Sequence, residues 1–480
     1  MAKPNLYIFS IGGTGSRVLK SLMFLLASGV KINTERIIPI IIDPDFSNGD
    51  LNRTYDILKN YSNIKNSIDS GTETDFFSVN VDSVGKTSGK NKGSEDYRLL
   101  IKDADNKLFN DFIGHSSLEP ANKEFMNLLF SESNLNSSMD IGFKGNPNIG
   151  SVVLNQLFTQ NNDAIRAFSA NFKQNDRIFI ISSIFGGTGA AGFPLVLKNL
   201  RNIDDVGDDF ANTAFIKDAK IGALTVLPYF GVAHSEDNLI NKSSFVSKSR
   251  AALKYYYRTV NKEINALYYI GDDLTKDYDN NPGAIEQKNL AHFVELAGAL
   301  SIIDFMNITD TNLAGSNIFK EFGITNSSNN IDFSGLDKNT TQKTIKKSLT
   351  KLFLMKRYLD VHYNYAKKHQ PWTKRGKVKF EDSTDIKELL TFLDYYEEWF
   401  KELSENNVSF SAFNLTQKEN IKDMINGQNG KNKFFKGSDH FVEFDKILNK
   451  TERDIKSINT YSKLLELFDK STEQFFNEAY

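Results

Sequence analysis

The 480-residue sequence contains no cysteine, which excludes disulfide bonds, thiolate zinc sites and a cysteine nucleophile. Histidine is scarce as well, and the six histidines show no HxxH or HExxH spacing, so no zinc-hydrolase motif is present. No apolar run approaches the ~20 residues of a membrane-spanning helix. The short apolar N-terminus leads directly into glycines, unlike a signal peptide. We therefore expect a cytoplasmic protein with no membrane span.

Neither sign of charge dominates the sequence. The 58 basic and 60 acidic residues give a net charge of -2, so the overall field does not attract nucleic acid or anionic membranes. We expect no nucleic-acid partner. The 40% hydrophobic and 25% charged content is typical of a globular protein, and the length allows several domains.

Short β-branched runs alternate with amphipathic stretches over the first 310 residues. Strands are predicted at residues 6–11, 36–43, 177–183, 221–228 and 266–270, and helices at 17–27, 195–200, 243–258 and 287–306. Continuous apolar strands separated by helices predict a doubly wound, mostly parallel sheet covered on both faces. Ligands of such α/β sheets bind at the carboxyl ends of the strands.

Two further regions differ in composition from this alternating pattern. Residues 46–140 are polar and are predicted to be rich in insertions, with one helix at 97–112. Residues 311–480 show helical periodicity, with helices predicted at 344–368, 385–404 and 442–479. We therefore predict an α/β domain at residues 1–310 followed by a mainly α-helical C-terminal region at residues 311–480.

Two glycine-rich turns follow buried strands directly, as IGGTGSR at 11–17 and IFGGTGAAGFP at 184–194. Glycine allows the backbone to approach a ligand closely, and the start of a helix offers unpaired N–H groups to phosphate. One such turn is often only tight packing, but two turns that both read GGTG predict a shared phosphate site. The predicted site residues are Gly12, Gly13, Thr14, Gly15, Ser16, Gly186, Gly187, Thr188, Gly189 and Ala190.

Neither turn is a Walker A loop, because Ser16 and Ala190 stand where that motif requires lysine. The first turn also departs from the dinucleotide fingerprint, since Val18 occupies its third glycine position. Asp43, after the second strand, could nevertheless accept a ribose hydroxyl as the acid of an NAD site does. The residues alone therefore leave an NAD or FAD protein open, although that interpretation gives the second turn no role.

The second turn resembles GGGTGTGAAP, the signature loop of the tubulin/FtsZ superfamily. Other segments resemble the same superfamily in the same order over residues 5–310. The first turn matches its first phosphate loop, and Asp43 matches the acid that ends its second strand. The segment GFKGNPNIGS at 142–151 is similar to its γ-phosphate cap through Gly145, Asn146 and Gly150. The resemblance also places Asp272, after the strand that enters the base site, and Asn289, at the start of the central helix, beside the base.

This resemblance implies a tubulin/FtsZ-like fold that binds GTP or GDP with Mg²⁺ and self-associates head to tail. Divergent bacterial tubulin-like proteins, in which a helical region replaces the second domain, are the most similar subset. The family completes hydrolysis with carboxylates on the loop after the central helix. That NxDxxE or NLDFAD pattern is missing here, and Asp310 and Asp304 are the nearest catalytic candidates. The resemblance thus predicts a GTPase whose hydrolysis depends on subunit association.

Two alternative functions remain open at this point. Because the catalytic pattern is missing, the protein could bind nucleotide without hydrolysing it and act with a partner, as in bacterial defence. Such a protein partner would bind through the helical C-terminal region. The second alternative is a Rossmann-type NAD or FAD protein.

Three polar residues near the predicted site have two interpretations each. His292 and Glu295 share one face of an apolar helix and could read the base or form a polar stripe against solvent or the other domain. Arg17 follows the first phosphate loop and could contact phosphate or lie on the helix surface.

Overall fold

A computed structural model describes residues 3–45, 47–87, 96–99, 107–139, 143, 146–158, 162–206, 210–229, 231–232, 242–272, 277–278, 288–322, 330–374, 386–406, 408–417, 421–427, 440–457 and 459–479. The strands are β1 (Asn5–Ile11), β2 (Arg36–Ile42), β3 (Asn80–Val81), β4 (Arg177–Ser183), β5 (Lys220–Val226), β6 (Gly231–Val232), β7 (Ala266–Ile270), β8 (Asp277–Tyr278), β9 (Ile318–Phe322), β10 (Asn330–Ile331) and β11 (Ser409–Phe410).

The helices cover much of the remaining described chain. They are α1 (Gly12–Ala27), α2 (Gly49–Asn66), α3 (Val84–Thr87), α4 (Phe109–Phe112), α5 (Pro120–Leu129), α6 (Glu132–Leu135), α7 (Pro147–Leu154), α8 (Asp163–Asn171), α9 (Gly187–Arg201), α10 (Ile203–Val206), α11 (Thr213–Lys217), α12 (Lys242–Thr259), α13 (Phe293–Asn307), α14 (Asp310–Ala314), α15 (Thr341–Val361), α16 (Tyr363–His369), α17 (Lys387–Glu405), α18 (His440–Thr451) and α19 (Thr460–Ala479). In this part of the chain, no helix is both long enough and apolar enough to cross a bilayer.

The core is a seven-stranded sheet in the order β3-β2-β1-β4-β5-β7-β9, and every pairing in it is parallel. The sequences of β1, β2 and β4 are almost continuously apolar and buried, as expected for strands covered on both faces. The chain leaves β1 toward β2 on one side and leaves β4 toward β5 on the other. The topological switch point, where such folds bind ligands, therefore lies between β1 and β4.

Helices α1 and α9 start directly after β1 and β4 and pack on opposite faces of the sheet. The position of a Cβ on Gly15 of α1 is 2.9 Å from the Ser10 hydroxyl, whereas a Cβ on Gly192 of α9 would lie 2.8 Å from Ile11. Since Ser10 and Ile11 are consecutive in β1, their side chains point to opposite faces. Helix α13 lies on the α1 face, where Gly298 approaches Val18 and Leu224.

The C-terminal helices pack against the α1 face through aromatic side chains. Phe24 of α1 contacts Phe392 and Trp399 of α17, with ring centroids 5.5 and 5.1 Å apart. Helix α1 is consequently covered by the sheet on one side and by helices on the others, and all of its residues except Gly13 are buried. A helix enclosed in this way needs apolar residues all round, and LMFLLA in its second half provides them.

The predicted fold class is confirmed, as the structure is a parallel α/β sheet followed by a mainly helical C-terminal region. The helix predicted at 97–112 is wrong at its start, because Tyr97 and Leu99 hydrogen-bond to Ile41 of β2, and right at its end, where α4 covers Phe109–Phe112. The helix predicted to start at 287 begins at Phe293. The helices predicted at 344–368 and 442–479 are each divided into two. The seventh strand, β9, lies beyond residue 310, and the domain division at that residue stays a prediction.

Candidate functional site

The two glycine turns lie against each other at the carboxyl edge of the sheet. A methyl group placed on Gly12 would lie 3.6 Å from the Cβ of Thr188 and 3.7 Å from the backbone nitrogen of Gly189. Gly12 itself has φ +72°, a conformation that L side chains rarely adopt. The two turns lie about 170 residues apart in the sequence and were predicted to form one site. The structure brings them together.

The second turn has a packing reason for glycine as well. A Cβ on Gly189 would lie 2.7 Å from the carbonyl oxygen and 2.8 Å from the nitrogen of Ser183, the last residue of β4. Any larger residue would push the start of α9 away from the strand end. Glycine therefore holds the first turn of α9 at the switch point, where its N–H groups are available.

The helices that start at this edge lack a side-chain N-cap. The residues at the cap positions of α1 and α9 are Ile11 and Gly186, whose side chains contain no hydrogen-bond acceptor. Other helices of the chain are capped, for example α2 by Asn48. The first N–H groups of α1 and α9 are therefore open to an anionic ligand, which the positive ends of the helix dipoles also favour.

An unpaired hydroxyl lies beside these N–H groups. Ser16 is completely buried, and its Oγ has no hydrogen-bond partner in the described part of the chain. An unsatisfied buried hydroxyl costs about 1–3 kcal/mol, and a ligand oxygen would satisfy it. Thr14, two residues earlier, is also buried, and its Oγ1 accepts a hydrogen bond from Arg17 Nη2 at 3.4 Å.

A third helix start lies close to the second turn. A Cβ on Gly150 of α7 would lie 2.9 Å from Ala191 and 3.1 Å from the carbonyl oxygen of Gly187. Asn146 is the N-cap of α7, and its side chain accepts no hydrogen bond from the first-turn N–H groups. The structure thus places Asn146 and Gly150 of the predicted γ-phosphate cap next to the second turn. Gly145 lies outside the described residues.

Asp43 and Asp45 form a buried acidic pair next to the first turn. Ile42 pairs with Ile11 in the sheet, so Asp43 leaves β2 beside the point where Gly12 leaves β1. Burial raises the pKa of Asp43 to about 7, although its carboxylate accepts a hydrogen bond from the Asp45 N–H at 3.1 Å. An ionised Asp43 is therefore poorly stabilised in the ligand-free protein and would gain from a cation or a ribose hydroxyl.

Arg17 is neither on the helix surface nor free to bind phosphate as it stands. It is buried, and it donates hydrogen bonds to Glu295 at 2.5 Å, to Tyr229 at 2.8 Å and to Asp50 at 3.2 Å. Burial opposes its charge, but Tyr229, Glu295 and Asp50 outweigh that effect and raise its pKa further. Arg17 therefore ties the first glycine turn to α2, to α13 and to the loop after β5.

The first turn of the central helix α13 is also buried, so the interpretation of His292 and Glu295 as a stripe against solvent is wrong. His292 caps the helix by accepting the Val294 N–H at Nδ1, 3.1 Å away. Burial lowers the pKa of His292 to about 4, so the ring is neutral and carries its proton on Nε2. That atom faces Asp272, with 3.7 Å between Nε2 and Oδ2.

Asn289 lies ahead of this helix, where its side chain donates to Asp50 at 2.9 Å. Asp272 follows β7 at the same edge of the sheet. The structure therefore brings Asp272 and Asn289 to the edge that carries the glycine turns, and their contact with a base stays a prediction.

The two candidate catalytic acids lie away from the glycine turns. Helix α13 has 15 residues and is thus about 22 Å long. Its first turn meets Arg17, whereas its last turn accepts hydrogen bonds from Arg177 at the amino end of β4. Asp310 follows this end of the helix, pairs with Arg177 at 2.7 Å, and has a side chain that is 66% exposed. Asp310 therefore cannot reach the glycine turns of its own chain.

Asp304 lines a cavity that is separate from the glycine turns. Its carboxylate accepts hydrogen bonds from Tyr268 at 2.6 Å and from Lys320 at 2.5 Å. The cavity has a volume of about 1710 Å³ and lies between α13, β9 and the C-terminal helices α15 and α19. None of the glycine-turn residues lines it. This cavity is therefore distinct from the candidate site.

Three residues that the sequence analysis did not predict make contacts near the first turn, namely Asp50, Tyr229 and Glu402. Each makes contacts across the fold: Tyr229 donates to Glu295 at 3.1 Å, and Glu402 accepts from Lys20 at 3.3 Å. One signal was available, since Arg17 and Lys20 are charges within an otherwise apolar helix, GGTGSRVLKSLMFLLA. Such charges are buried only when paired.

The fold and the site together define a class of protein, in which two glycine loops and helix N-termini meet at the switch point of a parallel α/β sheet. No protein-family model and no curated protein matches the chain. Several solved structures are similar to it. CetZ2 from Haloferax volcanii, in a GTPγS-bound protofilament, is 13% identical with a TM-score of 0.31, over 64% of this chain and 60% of that one.

Two further solved structures are similar to the chain. The GDP-bound monomer of CetZ1 from Haloferax volcanii is 13% identical with a TM-score of 0.32, over 65% of each chain. CetZ from Methanosaeta thermophila is 12% identical with a TM-score of 0.24, over 56% of this chain and 46% of that one. The chain thus spans less than two thirds of these tubulin/FtsZ-family structures. The likeness concerns the fold, and the function is inferred from the geometry of this chain.

Proposed function

We propose that this chain is a tubulin/FtsZ-like GTP-binding protein that self-associates and hydrolyses GTP at the junction between two copies. The observation that carries the proposal is the contact between the two glycine turns, where Gly12 meets Thr188 and Gly189. A single polyphosphate placed there would face the N-termini of α1 and α9 at once. The absence of cysteine suits a reducing compartment, and we place the protein in the cytoplasm.

The chain's own groups would hold the phosphates mainly through its backbone. The open N–H groups at the starts of α1 and α9 would donate to phosphate oxygens, and the Ser16 hydroxyl would gain the partner that it lacks. Asn146 and Gly150 at the start of α7 would close the site from the other side. These contacts cost little reorganisation because the packing of Gly15 and Gly189 already fixes both turns.

The residues present fit Mg²⁺ bound together with the nucleotide. No group of three or more acidic or histidine side chains that could hold a metal occurs among the described residues. Mg²⁺ at nucleotides needs fewer, since it keeps several waters and takes one or two carboxylates plus phosphate oxygens. Asp43 and Asp45 are suitably placed beside the first turn. When bound, the ion would neutralise phosphate charge, and Asp43 would become fully ionised.

For the base, we propose guanine. Asp272 presents a carboxylate at the same edge, and carboxylates accept the paired N–H donors of guanine, which adenine lacks. His292 Nε2 lies 3.7 Å from this carboxylate in the ligand-free protein. Competition between GTP and ATP for the purified protein tests the base preference directly.

Hydrolysis requires a second copy in this proposal. Asp310 is exposed at the amino edge of the sheet, and α13 separates it from the phosphate loops of its own chain by about 22 Å. Head-to-tail stacking would bring Asp310 of one copy to the glycine turns of the next. There it would orient the attacking water, so turnover would depend on assembly.

The proposal is tested with Gly12→Ala. At φ +72° an alanine strains the turn, and its methyl group would contact Thr188, so we expect the affinity for GTP to fall by about tenfold or more, equivalent to ~1.4 kcal/mol. Isothermal titration calorimetry gives the affinity. Chromatography of the supernatant from denatured wild-type protein identifies any nucleotide that copurifies.

Gly71→Ala is the matched control, because Gly71 also has a positive φ, +94°, but its Cβ would meet no atom within 4 Å. This control should bind GTP like the wild type. Unchanged affinity in Gly12→Ala would remove the first turn from the site. A copurifying flavin or nicotinamide cofactor would contradict the guanine-nucleotide function altogether.

A further inference from the structure

The residues around Arg17 belong to a larger buried charge network. Arg17 of α1 pairs with Asp50 of α2 and with Glu295 of α13. Asp50 also pairs with Arg53 at 2.7 Å and accepts hydrogen bonds from Asn289, just before α13. Three elements that surround the first glycine turn are therefore tied together on the side that faces the C-terminal helices.

Glu402 of α17 is the one residue from the C-terminal helices that enters this network among the described ion pairs. Its carboxylate accepts hydrogen bonds from Lys20 of α1 at 3.3 Å, from Arg53 of α2, and from the Ala291 N–H at 3.0 Å. Asn406, one turn later, donates to the carbonyl oxygen of Ala291. Glu402 thus contacts α1, α2 and the segment that leads into α13, next to the elements that Arg17 connects.

The charges of the network balance within a buried space. Its cations are Arg17, Lys20 and Arg53, and its anions are Asp50, Glu295 and Glu402. Burial raises the pKa of Asp50, but Arg17, Arg53 and Lys20 outweigh that effect and lower it. Loss of one anion would leave a buried cation without compensation, which favours rearrangement of the neighbouring ion pairs. A change at Glu402 can therefore reach Arg17 and Thr14.

We propose that Glu402 is a positioning residue for the nucleotide site. It fixes α1, the first part of α2 and the segment just before α13 relative to one another, so that docking of α17 and binding of a nucleoside triphosphate stabilise each other. This inference rests on the proposed function. By thermodynamic linkage, the coupling is reciprocal: Glu402 raises the affinity for nucleotide, and nucleotide tightens the packing of α17.

The test compares Glu402→Gln with Glu405→Gln. Both changes remove one carboxylate from α17, but the Glu405 side chain is 48% exposed and Glu402 is buried. We expect GTP affinity, measured by titration calorimetry on the full chain, to fall about tenfold in Glu402→Gln, within the range of 5–150-fold for such couplings. Glu405→Gln should keep wild-type affinity.

Hydrogen exchange of the wild-type protein provides the reciprocal measurement, which requires no variant to fold. GTP should slow amide exchange in α17 as well as at the glycine turns. Slowed exchange at the turns with no change in α17, or equal affinity in folded Glu402→Gln and the wild type, would overturn the positioning role alone. No GTP binding by the wild type would overturn the proposed function and this inference together.

Discussion

At the scale of single residues, glycine marks the places where this backbone must come close to another segment. Gly12 lets two turns meet, and Gly189 lets a helix start directly at a strand end. These positions could be predicted from the sequence because the glycines, the threonine and the adjoining apolar strand are neighbours along the chain. The partners of Arg17 could not be predicted, since Glu295 lies 278 residues away and its contact depends on the packing of α13 against α1.

The burial of His292 leads to a prediction about how the stability of the protein depends on pH. Its pKa is about 4 in the folded protein, through burial, and about 6.5 in the unfolded chain. The unfolded state therefore binds more protons between these values, and stability falls as the pH decreases from 6.5 to 4. Asparagine can also cap a helix, but it carries no group that titrates in this pH range. Between pH 6.5 and 4, His292→Asn should therefore lose up to about 3 kcal/mol less stability than the wild type loses. Chemical unfolding at several pH values measures the difference.

His369→Asn is the control for this prediction, because His369 is exposed at the end of α16. Its loss of stability between pH 6.5 and 4 should follow the wild type. If His292→Asn also follows the wild type, the ring of His292 is not held neutral by burial.

At the scale of elements, the central helix α13 sets the distance between the glycine turns and Asp310 at the other edge of the sheet. Helix α13 meets Arg17 at its start and Arg177 at its end. Its existence was predictable from a long apolar run. Helix α2 and strand β9 were missed for physical reasons: α2 buries only part of a polar sequence, and β9 is a half-exposed edge strand whose pairing with β7 depends on the fold.

A mixing experiment tests whether Asp310 acts on a neighbouring copy. Asp310→Ala keeps its glycine turns but loses the acid, whereas Gly12→Ala keeps the acid but binds GTP poorly. Each variant alone should release phosphate at a rate at least about tenfold below the wild type. A mixture should recover activity, because some junctions then combine intact turns with an intact Asp310. The readout is phosphate release from GTP at increasing protein concentration.

Asp205→Ala, an exposed acid on α10, serves as the control and should retain wild-type turnover. A mixture of Asp310→Ala and Gly12→Ala that is no more active than the sum of its components would exclude catalysis across the junction. Full activity of Asp310→Ala alone would remove this residue from the reaction.

At the scale of the whole molecule, α1 lies where the sheet, the central helix and the C-terminal helices meet. It carries the first glycine turn at its start, packs on the sheet and α13, and meets the C-terminal helices through Phe24 and Lys20. A sequence can indicate a helical C-terminal region, but the face on which it docks is decided by contacts between residues far apart in the chain. The sequence separation of 382 between Lys20 and Glu402 illustrates this.

The central claim is that backbone N–H groups from both glycine turns bind one polyphosphate. An experimental structure of the protein with GTPγS and Mg²⁺ tests it most directly. We predict phosphate oxygens within hydrogen-bond distance of the N–H groups of residues 12–15 and of residues 186–189 in the same molecule. A nucleotide that contacts only one of these turns, or that binds in the separate cavity between α13 and the C-terminal helices, would contradict the claim.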